Sequence, residues 1–350
     1  MPRSADMLDP MRNLSACGLS RRDSLAALAG LVITPMALGQ AAPSGRKAPG
    51  GSAAVQSAAP AALLACWAEA FGSAERIRLR VDSAGRVGIA VDGRTGEGFA
   101  LVRAFLAAGA VAEALAMVAS VSCVPHAFRW AEPAAWPEVC TFTMSAGGPV
   151  RLPTRIQLEL AAAISARVES HVPFRSDQPA SDEAVRGVGA NMSSDRVKAW
   201  IVEADDRPGF LAAMRVLASV PELAATIGPP SYWQEGTVPV VWGMSRAANP
   251  NMLAFVGQRI EAASLYAFQS GASLDPTLLP PETCERAAAA DQEVAKALAT
   301  IARLGRCEAT EPVVVARVGI PVETRPRAAP PFKMMLGGLA ADAPAPGATP

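Results

Sequence analysis

The sequence has almost no net charge, and this absence narrows the classes of protein to which the chain belongs. Its 350 residues carry 32 basic and 32 acidic side chains. The first 39 residues hold four arginines and three aspartates, which leaves 28 basic and 29 acidic residues in the remainder. Because binding to nucleic acid depends largely on neutralising phosphates with lysine and arginine, no nucleic-acid partner is predicted.

Long uninterrupted apolar runs are also missing after the N-terminal region. A transmembrane helix needs about 20 consecutive apolar residues, and the nearest stretch, Phe99 to Val121, is interrupted by Arg103 and Glu113. Gly109 in its middle predicts packed helices with a break there. Since 51% of the residues are apolar, the chain has enough material for a core, and we expect a soluble protein with no transmembrane span.

Recognised catalytic motifs are absent as well. The sequence contains no Walker A motif, H-E-x-x-H, EF-hand loop, C-x-x-C or C-x-x-C-H. Gly243 to Ala247 resembles a hydrolase nucleophile elbow, but His126 and His171 both precede Ser245, so the order of serine, acid and histidine fails. Gly187-Val188-Gly189 lacks the third glycine of a dinucleotide fingerprint and predicts a loop. No cofactor and no resident metal are predicted.

What the sequence does contain is an export signal. Four arginines precede the apolar run Leu25 to Gly39, and Ala37-Leu38-Gly39 offers the small residues of a cleavage site. The stretch Ser20 to Ala26 resembles the twin-arginine signal S-R-R-x-F-L-K and departs from it at Ser24 and Ala26. Sec export, or an N-terminal extension of a cytoplasmic protein, are the alternatives.

The twin-arginine resemblance implies a periplasmic protein that folds before export, often around a cofactor or beside a partner. Cys17 precedes the apolar run, whereas the cysteine of a lipoprotein signal follows it, so no lipid anchor is predicted.

Composition divides the chain into six segments. They are a signal peptide at 1–39, a flexible tether at 40–60, an N-terminal α+β domain at 61–170, a linker or long loop at 171–196, a C-terminal α/β domain at 197–320 and a proline-rich tail at 321–350.

Hydrophobic periodicity predicts a mixed α/β fold. A hairpin is expected around Asp82 to Gly85. Thr154 and Gln157 form a capping box before a helical stripe, Ile156, Leu160, Ile164 and Val168. The strongest helix pattern runs from Glu282 to Leu304, with Gly305 as its end. Strands are predicted at three places, 200–202, 238–242 and 313–318.

Cys123, His126 and Cys140 are the candidate chemical residues. In an oxidising compartment Cys123 and Cys140 are the more plausible disulfide pair. Alternatively, His126 lowers the pKa of Cys123, and Cys123 acts as a reactive thiolate with Cys140 or Cys66 as resolving partner. A zinc site built from these three residues is a weaker alternative.

Cys284 and Cys307 are not expected to pair. A continuous helix over the 22 residues between them would be about 33 Å long, whereas bridged Cα atoms lie within about 7 Å of one another.

Two proline-initiated strands carry a wider resemblance. Gly236 to Gly243 contains Thr-Val-Pro239 before a buried strand, and Ala309 to Val315 contains Thr-Glu-Pro312. The segment from Leu279 onward is similar to the closing helix, proline loop and strand of DsbC/DsbG-type periplasmic disulfide isomerases. The resemblance implies a thioredoxin-like C-terminal half with Pro239 and Pro312 as cis-proline candidates, although the C-x-x-C of that family is absent.

The leading functional prediction is a periplasmic, non-catalytic binding or assembly factor whose partner is a periplasmic protein or a small ligand. A thiol–disulfide protein that uses Cys123 is the first alternative. A cofactor- or metal-carrying substrate of the twin-arginine pathway is the second.

Overall fold

The structure is a computed structural model, and it describes residues 76–81, 86–91, 99–121, 126–130, 138–144, 152–166, 172–195, 197–243, 250–307 and 313–323. These residues form two compact units. The N-terminal unit contains the described residues of 76–161 and 250–261, and the C-terminal unit contains those of 162–247 and 262–323. Both units combine helices with a sheet, so the predicted mixed α/β class is confirmed. The export signal, the tether, Cys66, Cys123 and Pro312 lie outside the described residues.

The N-terminal unit contains a four-stranded antiparallel sheet in the order β1-β2-β4-β3. Its elements are β1 (Ile77–Val81), β2 (Arg86–Val91), α1 (Phe99–Val121), β3 (His126–Trp130), β4 (Glu138–Met144) and the first part of α2 (Arg155–Ala166). The predicted hairpin is confirmed, because β1 pairs with β2 from Ile77 opposite Val91 to Val81 opposite Val87.

One face of this sheet is apolar and packs against α1, which contacts all four strands. Leu79, Ile89, Cys140 and Phe142 lie on it and are buried. Burial of this face supplies the main hydrophobic stabilisation of the unit.

Helix α1 runs without a break through Gly109, so the predicted interruption is wrong. A Cβ atom on Gly109 would lie 1.9 Å from the carbonyl oxygen of Ala254, which belongs to α6 (Pro250–Gln269). A Cβ atom on Gly257 in α6 would lie 1.9 Å from the carbonyl oxygen of Leu106. The glycine therefore serves close helix packing and does not end the helix. Among the described residues, α1 is also the one helix long and apolar enough to span a membrane, and 78% of the apolar window is buried in the structure.

The C-terminal unit repeats the same sheet order, β5-β6-β8-β7, again with antiparallel pairings throughout. Its elements are α3 (Asp182–Asn191), β5 (Ala199–Ile201), α4 (Arg207–Ala218), α5 (Pro221–Ile227), a 3-10 turn (Pro230–Tyr232), β6 (Val238–Gly243), the second part of α6, β7 (Ser273–Leu278), α7 (Pro281–Ala290), α8 (Gln292–Leu304) and β8 (Val313–Gly319). The three strands predicted from sequence are confirmed to within two residues.

One face of the C-terminal sheet is covered by a helical layer. Val241 and Val315 belong to a buried cluster with Phe210, Leu223 and Ile301, which lie on α4, α5 and α8. Trp233 completes this cluster. The strands β6 and β8 therefore lie in the core of the unit.

The segment predicted as a linker or long loop contains α3. The side chain of Ser181 accepts a hydrogen bond from the backbone N–H of Ala184 and so begins the helix. Gly187 and Gly189 lie inside this helix, so the loop predicted there is wrong. The polar composition of the segment reflects a helix that buries only Ala184 and Val188.

The single helix predicted from Glu282 to Leu304 is divided into α7 and α8. Asp291 has extended backbone angles, φ −139° and ψ 118°, and its side chain accepts a hydrogen bond from the N–H of Glu293. An aspartate that caps a new helix ends the preceding one. The predicted apolar stripe is confirmed, since Val294 and Ile301 are buried, and Gly305 ends α8 as expected.

The capping box of α2 is confirmed. The N–H of Gln157 donates to Oγ1 of Thr154, and the N–H of Thr154 donates to Oε1 of Gln157. The predicted stripe holds only in part, because Leu160 and Ile164 are buried whereas 49% of Ile156 is exposed.

Candidate functional site

The predicted cysteine–histidine site falls at the edge strand β3 and its neighbour β4. His126 is the first residue of β3 and is half-buried, and Cys140 is buried in β4. Cys123 lies outside the described residues, so its disulfide with Cys140 and its activation by His126 stay predictions. No disulfide joins the described cysteines Cys140, Cys284 and Cys307 to one another.

His126 is part of an aromatic row. Its ring lies 5.3 Å from that of Phe142 and 6.5 Å from that of Phe128, measured between centroids. Phe128 lies 6.1 Å from Trp130, which in turn lies 4.5 Å from Phe255. Alternation along the strand puts His126, Phe128 and Trp130 on one face. Packing is therefore an established role of this histidine.

His126 and Cys140 share a face but are not neighbours. His126 pairs with Met144, and Cys140 pairs with Trp130, four residues along β3. At about 3.4 Å per residue, the two positions are about 14 Å apart. This spacing does not let His126 and Cys140 bind one zinc ion, because zinc ligands lie within about 2.3 Å of the metal. Among the residues that the structure describes, no cluster of three or more potential metal ligands occurs.

Pro239 lies in β6, is buried, and pairs with Arg317 of β8. Its carbonyl oxygen accepts a hydrogen bond from the N–H of Val202. Since N–H and C=O of a strand residue point to the same side, the missing N–H of the proline points away from β8 and leaves that ladder intact. This placement explains why a proline is tolerated in an interior strand.

The residue that sequence reasoning missed is Arg317, whose side chain is fully buried. Its guanidinium donates to the carbonyl oxygens of Tyr232 at 2.8 Å and Val172 at 3.2 Å. It also donates to a carboxylate oxygen of Asp275, the residue directly opposite it on β7. These contacts tie four separate stretches of chain together.

Three aromatic rings surround the same guanidinium. Its carbon lies 4.8 Å from the ring centroid of Phe174, 4.9 Å from that of Tyr232 and 5.4 Å from that of Trp233. Desolvated cation–π contacts contribute on the order of 2 kcal/mol, and a buried charge needs such compensation. The only sequence signal for this cluster was the Tyr232-Trp233 pair. A ligand cleft lined by Tyr232, Trp233 and Trp242 was the alternative considered for it, and both tryptophans are instead buried.

A second buried polar cluster lies between α1 and α6. Nη2 of Arg259 is 3.2 Å from a carboxylate oxygen of Glu113, and only 17% of the Glu113 side chain is exposed. Burial raises the pKa of Glu113 and Glu261 raises it further, while Arg259 lowers it. Glu113 and Arg103 had been noted only as charges within an apolar stretch.

The described thiols differ in their suitability for chemistry. Burial and the neighbouring carboxylate of Glu285 raise the pKa of Cys284 to about 11. The reactive form of cysteine is the thiolate, so Cys284 is protonated and unreactive at neutral pH. The acidic turn at Glu203 to Asp206 is exposed, as predicted, and Glu203 pairs with Arg306 at 2.8 Å.

The face of the N-terminal sheet opposite α1 is basic. Its described positions are Arg78, Arg80, Arg86, Gly88, Ala90, Ala127, Arg129, Thr141 and Thr143, and this set is called the arginine face. Arg86, Ala127 and Arg129 are exposed, whereas Thr141 and Thr143 are half-buried.

Comparison with known proteins gives no relative on which to base an activity. No protein-family model matches the chain, and no curated protein matches it.

Proposed function

We propose that the chain is an exported periplasmic protein that works as a non-catalytic binding or assembly factor. The observation that carries this proposal is the exposed arginine face of the N-terminal sheet. In the C-terminal sheet, by contrast, both neighbouring strands β6 and β8 contribute buried residues to the helical layer. A flat polar face that is exposed in one unit suits contact with another molecule.

The test is site-specific photo-cross-linking in intact cells that express the full chain. A cross-linker replaces Ala127, which is exposed on the arginine face, and a control cross-linker replaces Ala225, which is exposed on α5. A discrete adduct at position 127 and none at position 225 supports a binding factor. Equal yields at the two positions would contradict it.

Export is tested on the same cells. The intact mass of protein from the periplasmic fraction is expected to lack about the first 39 residues. A full-length chain confined to the cytoplasm would remove the periplasmic part of the proposal.

A thiol–disulfide protein on a thioredoxin-like scaffold is the second candidate. The observation that favours it is Pro239, a buried proline after Thr237-Val238 at the start of a core strand. The antiparallel pairing of every strand in the C-terminal sheet weighs on the other side, because a βαβ unit requires parallel strands. Alkylation of Cys123 at mildly acidic pH would favour this candidate, and an inert Cys123 would remove it. A cofactor-carrying protein, the remaining candidate, would show colour or bound metal on purification.

A further inference from the structure

The arginine face has a regular arrangement across the four strands. Register pairs Arg80 with Gly88, Gly88 with Thr141 and Thr141 with Arg129, so one transverse row reads Arg-Gly-Thr-Arg. Neighbouring strands lie about 4.8 Å apart, so the two arginine positions at the sheet edges are about 14 Å apart. Small residues occupy the centre between them. An extended segment fits between the two edge positions.

The two sheets differ in what their own chain places over this side. In the C-terminal unit, 36 residues connect β5 to β6 and 34 connect β7 to β8, and both connections contain helices of the covering layer. In the N-terminal unit the equivalent connections have only four and seven residues. Such short connections cannot form a helical layer.

Arg317 shows what an arginine requires once it is covered on this side of such a sheet. It pairs with the carboxylate of Asp275 on the neighbouring strand. The described positions of the arginine face include no carboxylate. A molecule that covers this face must therefore supply its own anionic groups.

The chain's own flanking segments do not supply enough of them. Residues 40–75 contain two acidic and two basic side chains, and residues 324–350 contain one acidic and three basic side chains. Charge complementarity therefore selects an occupant from another molecule.

We propose that the arginine face docks a carboxylate-rich, extended segment of a partner protein. This inference rests on the proposed binding function and adds the chemistry of the partner. Arginine suits the role because its planar guanidinium binds a carboxylate through two parallel hydrogen bonds.

The test measures fluorescence anisotropy of a labelled peptide in which glutamate alternates with threonine, mixed with the full chain. The Arg86→Glu/Arg129→Glu variant is expected to weaken peptide binding by about tenfold or more. A matched control, Arg215→Glu/Arg303→Glu, changes the net charge equally at exposed positions of α4 and α8 and is expected to change the affinity by less than about twofold. Urea unfolding of both variants shows whether each stays folded. Binding is also expected to weaken at high salt.

Four results would overturn the inference. They are equal losses in the two double variants, equal binding of a peptide with glutamine in place of glutamate, no peptide binding while anionic phospholipid vesicles bind, and loss of a self-associated form in the Arg86→Glu/Arg129→Glu variant. An adduct at position 127 that persists when the peptide does not bind would retain the binding function and remove only the acidic partner. Loss of both would remove the two proposals together.

Discussion

In the N-terminal sheet, the face away from α1 presents Arg78, Arg86 and Arg129, whereas the helix-covered face of the C-terminal sheet presents Val241, Val315 and the buried Arg317. The strand order and the antiparallel pairing are the same in both. The same scaffold therefore accommodates a charged face or a core face, and the length of the connections between strands decides which one forms.

The contrast also shows the cost of a charge in the core. An exposed arginine such as Arg129 is solvated by water, while Arg317 needs a carboxylate, two carbonyl oxygens and three rings. Four predictions test this contrast between the two units, beginning with the largest expected effect.

Replacement of Arg317 by methionine is expected to lower the free energy of unfolding by about 3–5 kcal/mol, because it leaves the Asp275 carboxylate buried and uncompensated. The Arg317→Met/Asp275→Leu variant is expected to regain much of this loss. Urea unfolding monitored by circular dichroism measures both. Glu203→Gln, which breaks an exposed ion pair with Arg306, is the control and is expected to cost less than about 1 kcal/mol. A double variant no more stable than Arg317→Met would contradict the explanation.

The helix that follows the second strand of each sheet, α1 or α6, contributes one glycine to the crossing between these helices. Gly109→Ala and Gly257→Ala are each expected to destabilise by about 2–3 kcal/mol, because the added methyl group meets backbone atoms that cannot move aside. The distances are the same at both sites, so similar losses are expected in thermal or urea unfolding.

Gly187→Ala is the matched control for these helical glycines, since its nearest contact would be 3.7 Å away. It is expected to stabilise by up to about 1 kcal/mol. Equal effects at all three sites would show that helix propensity, and not close packing, governs them.

Exchange of threonine and valine probes the two sheet faces directly. Val315→Thr introduces a hydroxyl into the buried cluster and is expected to cost about 1–2 kcal/mol. Thr143→Val lies on the half-buried arginine face and is expected to stay within about 0.5 kcal/mol of the parent. Similar losses in urea unfolding would mean that the arginine face is as fully covered as the core face.

The smallest effect is expected from pH. Because burial raises the pKa of Glu113 above its ordinary value of 4.5, the folded protein binds this proton more tightly than the unfolded chain. Stability is therefore lost as pH rises from 4.5 through the raised pKa of the folded state. Glu113→Gln is expected to reduce this loss when urea midpoints at about pH 5 and about pH 8 are compared. Glu183→Gln, at an exposed position of α3, should leave the pH dependence unchanged. An unaltered pH dependence in Glu113→Gln would show that another group titrates.

Local patterns predicted the elements that local chemistry determines. The hairpin, the Thr154 capping box and the apolar stripe of α8 all depend on residues close in sequence, and each was found. β7 was missed because Asp275 and Pro276 interrupt its pattern, and only the pairing of Asp275 with Arg317 across the sheet explains them. Gly109 was read as a helix break because its partner, Ala254, lies far along the chain.

The candidate site was less predictable for the same reason. The sequence brought His126 and Cys140 together in one hypothesis because they are 14 residues apart, but the register of β3 and β4 places them four positions apart on the sheet. The arginine face is spread over three strands, and no local motif indicates it. Register, which is set by packing, cannot be read from spacing alone.

The contacts of Arg317 also set an order of events during synthesis. This residue lies 85 positions after Tyr232 and 145 positions after Val172. A ribosome that has released both carbonyl groups must still add most of the remaining chain before their donor exists. The C-terminal unit therefore cannot complete its core until β8 has emerged, and folding of this unit is expected to finish after translation rather than during it.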